Sequence, residues 1–265
     1  MTPERFTVPS SDGVPISVQR TGSGPAMLLV HGALLNGSLA WGLVTPKLSE
    51  RFTVYTMDRR GRAPSGDTQT YSIANEADDI SAVANAVGGP VIVISHSYGA
   101  LASVAALDQL KNVSHLILYE PPLTADGARP DSPAVLEKLD QALAANDREQ
   151  IVMTFLRDQI RAPMDRVEAF KTSPIWPIIL EIASTLPRES RAVNTWRPSP
   201  NLLAAWKTPT TVLLGSLSTG ILRDAAYFLR DTISGCRLVT LEGQGHSAAT
   251  DAPDYFVSKI LEIAQ

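Results

Sequence analysis

Residues 94–100 read "ISHSYGA", lying between the apolar run "PVIV" and the small-residue run "LASVAALDQL". The first run predicts a buried strand and the second a helix, so Ser97 stands at a strand-to-helix turn. Its neighbours follow a small-x-Ser-x-small pattern: Ser95, His96, Ser97, Tyr98, Gly99. Such a turn needs small flanks because strand and helix backbones pass close together. It holds its central side chain exposed in a strained conformation. Ser95 stands where glycine is usual in this pattern, a mild departure. The helix N-terminus behind Ser97 places partial positive charge where an oxyanion would form.

Outward from this turn the chain alternates strands and helices. "RFTVPSSDGVPISVQRTG" predicts a hairpin turning at Asp12-Gly13. "AMLLVHG", "RFTVYTMD", "VSHLILYE", "TTVLLG" and "CRLVTLEG" predict further strands. "SLAWGLVTPKLSE", split near Pro46, predicts helix, as do "SIANEADDISAVANAV", "ILRDAAYFLRDTI" and "DYFVSKILEIA". The pattern implies an α/β fold, a mostly parallel sheet covered on both faces. Residues 121–206 break the rhythm with helical spacing and frequent proline. They read as a helical insertion in a core made of residues 1–120 and 207–265.

Composition narrows the function. The chain has 265 residues, 44% hydrophobic and 19% charged, and a formal net charge of −4. It lacks the clustered basic stripe of a nucleic-acid binder. The one cysteine, Cys236, cannot form an internal disulfide or a multi-cysteine metal site. No apolar run approaches the ~18 residues that a bilayer span needs. The N-terminal sequence has no signal pattern, so a cytoplasmic protein is the default expectation. No metal-ligand spacing or phosphate-type glycine loop appears, so no metal or cofactor is expected. A small-molecule substrate is the expected partner, with a homodimer left open.

A nucleophilic serine needs a base and oxyanion donors. There are four histidines. His96, beside Ser97, is expected to face the interior, and His115 opens a strand at the opposite end. His31 is expected to shape a loop. His246, in the glycine-rich "LEGQGHSAA" after the last strand, is the best-placed base. The loop after "LLVHG" and the helix N-terminus nominate the N–H groups of Ala33 and Tyr98 as the oxyanion hole.

Together "VHGALLNG", "MDRRGRAPSGD", "ISHSYGA", "TTVLLGS" and "GQGHS" resemble the α/β-hydrolase superfamily. The resemblance implies a mostly parallel eight-stranded sheet, a helical cap after the sixth strand, Ser97 as nucleophile and His246 as base. It makes "DRRGR" a structural turn, with Asp58 and Arg60 as scaffold. The family's usual acid follows the seventh strand, but that turn here reads Gly215-Ser216-Leu217-Ser218. Some branches place the acid after the sixth strand. Glu120 ends the apolar run "HLILY" there, and a charge in such a position needs a partner. Glu120 is therefore the expected acid. Asp224 is the weaker alternative, a few residues too late and inside a helix.

The expected activity is a cofactor-free serine hydrolase of the carboxylesterase or lactonase type, acting on an ester, lactone or thioester. The insertion's apolar residues suggest a medium-sized apolar substrate, with Met153, Phe155, Trp176 and Ile221 as lining candidates. A lyase, cyclase, dehydratase or perhydrolase would use the same Ser-His pair. A non-catalytic binding protein is supported only by the missing acid at Ser218.

Overall fold

A computed structural model describes residues 3–124 and 130–264. Residues 125–129 of the expected insertion lie outside the described residues. Eight strands form one sheet: β1 (Glu4–Pro9), β2 (Pro15–Gly22), β3 (Ala26–Val30), β4 (Thr53–Met57), β5 (Val91–His96), β6 (Val113–Tyr119), β7 (Thr210–Gly215) and β8 (Arg237–Leu241). Their spatial order is β1-β2-β4-β3-β5-β6-β7-β8. The β1–β2 and β2–β4 pairs are antiparallel, and every later pair is parallel.

Alternation along the strands builds two cores. Val91 and Val93 of β5 join one apolar cluster with Leu28, Leu116 and Val212. Ile92 and Ile94 face the other way, beside Met27, Ile117 and Leu213. The period of two sends successive residues to opposite faces, so both faces must be covered by helices. Ile73–Val87 and Tyr98–Ala105 pack on the first face, and Pro253–Ile263 packs on the second. The helix after β3 is split into Gly37–Trp41 and Thr45–Leu48, and Pro46 sits in the first turn of the second piece, where its missing N–H costs nothing.

Between β6 and β7 the described residues form helices and no strand. This segment has its own apolar cluster, including Leu139, Ile151, Leu156, Val167, Ile179 and Leu186. Ala33, Leu34 and Leu35, from the loop after β3, pack against that cluster. The helical segment thus sits over the C-terminal edge of the parallel strands, where open α/β sheets place their ligands.

Candidate active site

Ser97 adopts φ 54° and ψ −123°, between β5 and the helix Tyr98–Ala105. The surroundings explain how this strain is held. A Cβ on Gly99 would lie 2.4 Å from the His31 carbonyl, so the helix start can meet the end of β3 only with glycine there. A Cβ on Gly32 would lie 3.0 Å from Ser97 Cβ, so the β3 loop also passes directly against the serine. Ser95, the departure from glycine, is buried, and its hydroxyl pairs with Ser103 Oγ at 2.6 Å. That hydrogen bond removes the cost of an unpartnered buried hydroxyl.

Glu120 is the first residue after β6 and is fully buried. Its φ is 48°, so it and Ser97 both adopt positive φ without being glycine, at neighbouring strand ends. The twist aims its carboxylate across the sheet edge. Oε1 accepts the Gly215 N–H at 2.7 Å, and Oε2 lies 2.6 Å from His246 Nδ1. A carboxylate can only accept here, so His246 carries its proton on Nδ1 and leaves Nε2 free to take another. Among the described residues no hydrogen bond joins Ser97 Oγ to the His246 ring. Such bonds commonly tighten only when substrate binds.

The loop bearing His246 is fastened at several points. Tyr119 Oη donates to the Gly245 carbonyl and accepts the Ala248 N–H at 3.0 Å. The Leu217 N–H donates to the Gln244 carbonyl at 2.9 Å. Gly215 makes room for the loop: a Cβ there would lie 2.5 Å from the Gln244 carbonyl oxygen. His96 Nε2 lies 2.8 Å from the His246 carbonyl, so that nitrogen is the donor. The His96 ring stacks on Tyr119 with centroids 4.8 Å apart and lies 4.5 Å from the His246 ring. Burial, reinforced by His246, holds its pKa well below the ordinary histidine value. His96, expected to face the interior, packs its ring beside buried Trp41 and Tyr119, and its Nε2 also reaches the loop that bears His246. Spacing along β5 could not reveal this, because the partner is 150 residues away.

The β3 loop is held from below. His31 is buried; Nε2 accepts the Arg59 N–H at 3.0 Å and Nδ1 donates to the Gly32 carbonyl at 2.8 Å. That fixes a neutral imidazole, and burial with Arg59 and Arg62 nearby keeps its pKa well below the usual value. Neither the Ala33 nor the Tyr98 N–H donates to a protein acceptor among the described residues. Tyr98 follows Ser97 directly, and Ala33 follows Gly32, which packs against Ser97.

The remaining sequence candidates separate. Ser218 lies past the end of β7; its N–H donates to the Gly215 carbonyl at 3.0 Å. Asp224 is exposed and paired with Arg223. Asp58 accepts the Gly37 N–H and an Arg5 donor, and Arg60 pairs with Asp79 and Asp12, both within the scaffold. Phe155 is buried in the helical segment's core, against which Met153 and Trp176 pack while keeping some exposure. Ile221 opens the helix after β7 and lies outside that cluster. His115 sits near the start of β6, 2.9 Å from Thr211 Oγ1. Among the described residues no group of three or more acidic, histidine or cysteine side chains could hold a metal, and no helix is long and apolar enough to cross a membrane.

Comparison with known proteins identifies the family and the fold. The sequence profile of the alpha/beta hydrolase family matches residues 27–259. A crystal structure of an alpha/beta hydrolase from Sphaerobacter thermophilus is 36% identical, with a TM-score of 0.86 over 98% of this chain and 100% of that one. An esterase from Rhodococcus shares the fold at 23% identity and a TM-score of 0.75, covering 99% of this chain and 98% of that one. A 2-(acetamidomethylene)succinate hydrolase from Mesorhizobium japonicum is 38% identical over 95 residues, 35% of this chain and 34% of that relative. The match therefore spans about a third of that relative's length.

Proposed function

Since the chain belongs to the alpha/beta hydrolase family, we propose that it is a cofactor-free serine hydrolase with Ser97 as nucleophile, His246 as base and Glu120 as acid. The observation that carries this reading is the 2.6 Å contact between Glu120 Oε2 and His246 Nδ1, beside a strained serine turn. His246 Nε2 takes the Ser97 proton as Oγ attacks the substrate carbonyl. Glu120 stabilises the resulting imidazolium and keeps the productive tautomer. The Ala33 and Tyr98 amides receive the oxyanion. His246 then protonates the leaving group, and a water activated by the same nitrogen releases the acyl group.

The helical segment between β6 and β7 serves as a cap in this reading. The half-buried apolar residues between it and the β3 loop, among them Leu34, Leu35, Met153 and Trp176, favour an apolar acyl or alcohol group. Ester, lactone and thioester carbonyls all suit the mechanism. The relative named for an acetamido substrate adds amides to the assay panel.

The test is to label the protein with a fluorophosphonate, locate the adduct by mass spectrometry, and assay p-nitrophenyl esters, aliphatic lactones and N-acyl amides. An adduct on Ser97 with turnover of at least one class is expected. No adduct at Ser97 would overturn the serine mechanism. An adduct without hydrolysis of any of them would move the chain to the non-hydrolytic chemistries.

A further inference from the structure

Beneath the β3 loop lies a buried charge cluster that the catalytic groups do not use. Arg59, Arg62, Glu76 and Glu189 are each at most 1% exposed. Arg59 Nε and Nη2 grip the Glu76 carboxylate at 3.0 and 2.7 Å, and Nη2 also reaches Glu189 Oε1 at 2.8 Å. Arg62 Nη1 lies 2.7 Å from the same Glu189 oxygen. Glu76 belongs to the helix on the sheet face, whereas Glu189 belongs to Leu186–Thr195 of the helical segment above. Two cations and two anions therefore balance only when both layers are assembled.

Each arginine spends a remaining donor on the loop. Arg59 Nη1 donates to the Gly32 carbonyl at 2.9 Å, and Arg62 Nη2 donates to the Ala33 carbonyl. The Arg59 guanidinium also lies 4.5 Å from the centroid of the Tyr98 ring, whose hydroxyl pairs with Tyr71 at 2.6 Å. A peptide unit is planar and trans, so its C=O and N–H point in opposite senses. Arg59 Nη1 and His31 Nδ1 share the Gly32 carbonyl, and holding it there fixes the direction of the Ala33 N–H.

We propose that Glu189 is a positioning residue for the oxyanion hole: by balancing Arg59 and Arg62 it fixes the peptide plane that presents the Ala33 N–H. This rests on the role of Ala33 proposed above. Without the Glu189 charge the two buried arginines repel, since like charges so close and dry interact strongly. Their holds on the Gly32 and Ala33 carbonyls then loosen, and the donor loses its aim.

The test uses the full chain carrying Glu189→Gln, which keeps the shape and removes the charge, and Glu189→Asp, which keeps the charge. Rates are taken per fluorophosphonate-titrated Ser97, so unfolded protein is not counted. Glu189→Gln is expected to lower kcat at least about tenfold with KM changed less than about twofold. That is below the roughly 10²–10³ lost when a whole oxyanion donor is removed. Glu189→Asp should recover part of the loss. The amide resonance and hydrogen exchange of Ala33, read by ¹⁵N NMR, should change in Glu189→Gln while those of Gly99 do not. Wild-type kcat and an unchanged Ala33 amide would overturn the proposal. A changed Ala33 amide in a protein whose wild type turns over no ester would instead overturn the catalytic reading and leave the positioning intact.

Discussion

The ends of β6 and β7 are neighbours on one sheet edge and serve opposite needs. The β6 end delivers a buried charge: Glu120 reaches both Gly215 and His246. The β7 end delivers space and a donor. Gly215 offers its N–H to Glu120, and its missing side chain lets the Gln244–Gly245 backbone pass. What the base requires is a carboxylate within reach of Nδ1, and the loop it comes from is secondary. In the proposed mechanism Glu120 fills that place, and Ser218 is relieved of the task. The same carboxylate takes the Gly215 amide, which ties the two strand ends together.

The sharpest way to break this contrast is to neutralise one end at a time. Glu120→Gln should lower kcat by roughly 10²–10⁴, because the amide stabilises neither the tautomer nor the imidazolium. Ser218→Ala should change kcat less than about twofold. Equal, small effects in steady-state assays would mean that another carboxylate serves His246. Gly215→Ala should come next in size. Its methyl would collide with the Gln244 backbone at 2.5 Å, costing about 1–3 kcal/mol of stability. Displacing the base loop should lower kcat by about tenfold in the folded fraction. Thermal melts alongside kcat check both parts, and an unperturbed loop would remove space as the function of the β7 end.

The smallest expected effect concerns pH and His96, which touches the base loop from the β5 side. Its folded pKa is depressed, so the unfolded chain binds a proton that the native one refuses. Its contribution to stability is present above the unfolded histidine value of about 6.5 and declines as pH falls below it. His31 has the same sign. Replacing His96 with Gln should therefore flatten the fall of unfolding free energy below pH 6.5 by about one proton, roughly 1.4 kcal/mol per pH unit. Urea melts at several pH values measure that slope. An unchanged slope would mean that His96 takes up its proton in the folded state.

Much of this arrangement was legible because it is local. The alternation of "PVIVIS", "HLILYE" and "TTVLLG" with amphipathic helices carries the sheet. Glu120 stood out as a charge at the end of an apolar strand. The Asp12-Gly13 turn is an equally short-range signal. The contacts that tune the site are not local. Arg59 meets Glu189 across 130 residues, and His96 meets the His246 carbonyl across 150. No periodicity connects them, so "DRRGR" could be read as a structural turn without showing that two of its arginines hold the β3 loop. The short helix Ala248–Asp251 after the base loop also escaped, since four residues are too few for a periodic signal.

The most direct measurement is the imidazole proton shared between Glu120 and His246, observed by ¹H NMR at low temperature and assigned by its loss in His246→Gln. A strong charge-assisted bond should place it well downfield of the amide region in the wild type and in Ser218→Ala. In Glu120→Gln it should disappear or move sharply upfield. A downfield His246 proton that survives Glu120→Gln unchanged would contradict the assignment of Glu120 as the acid.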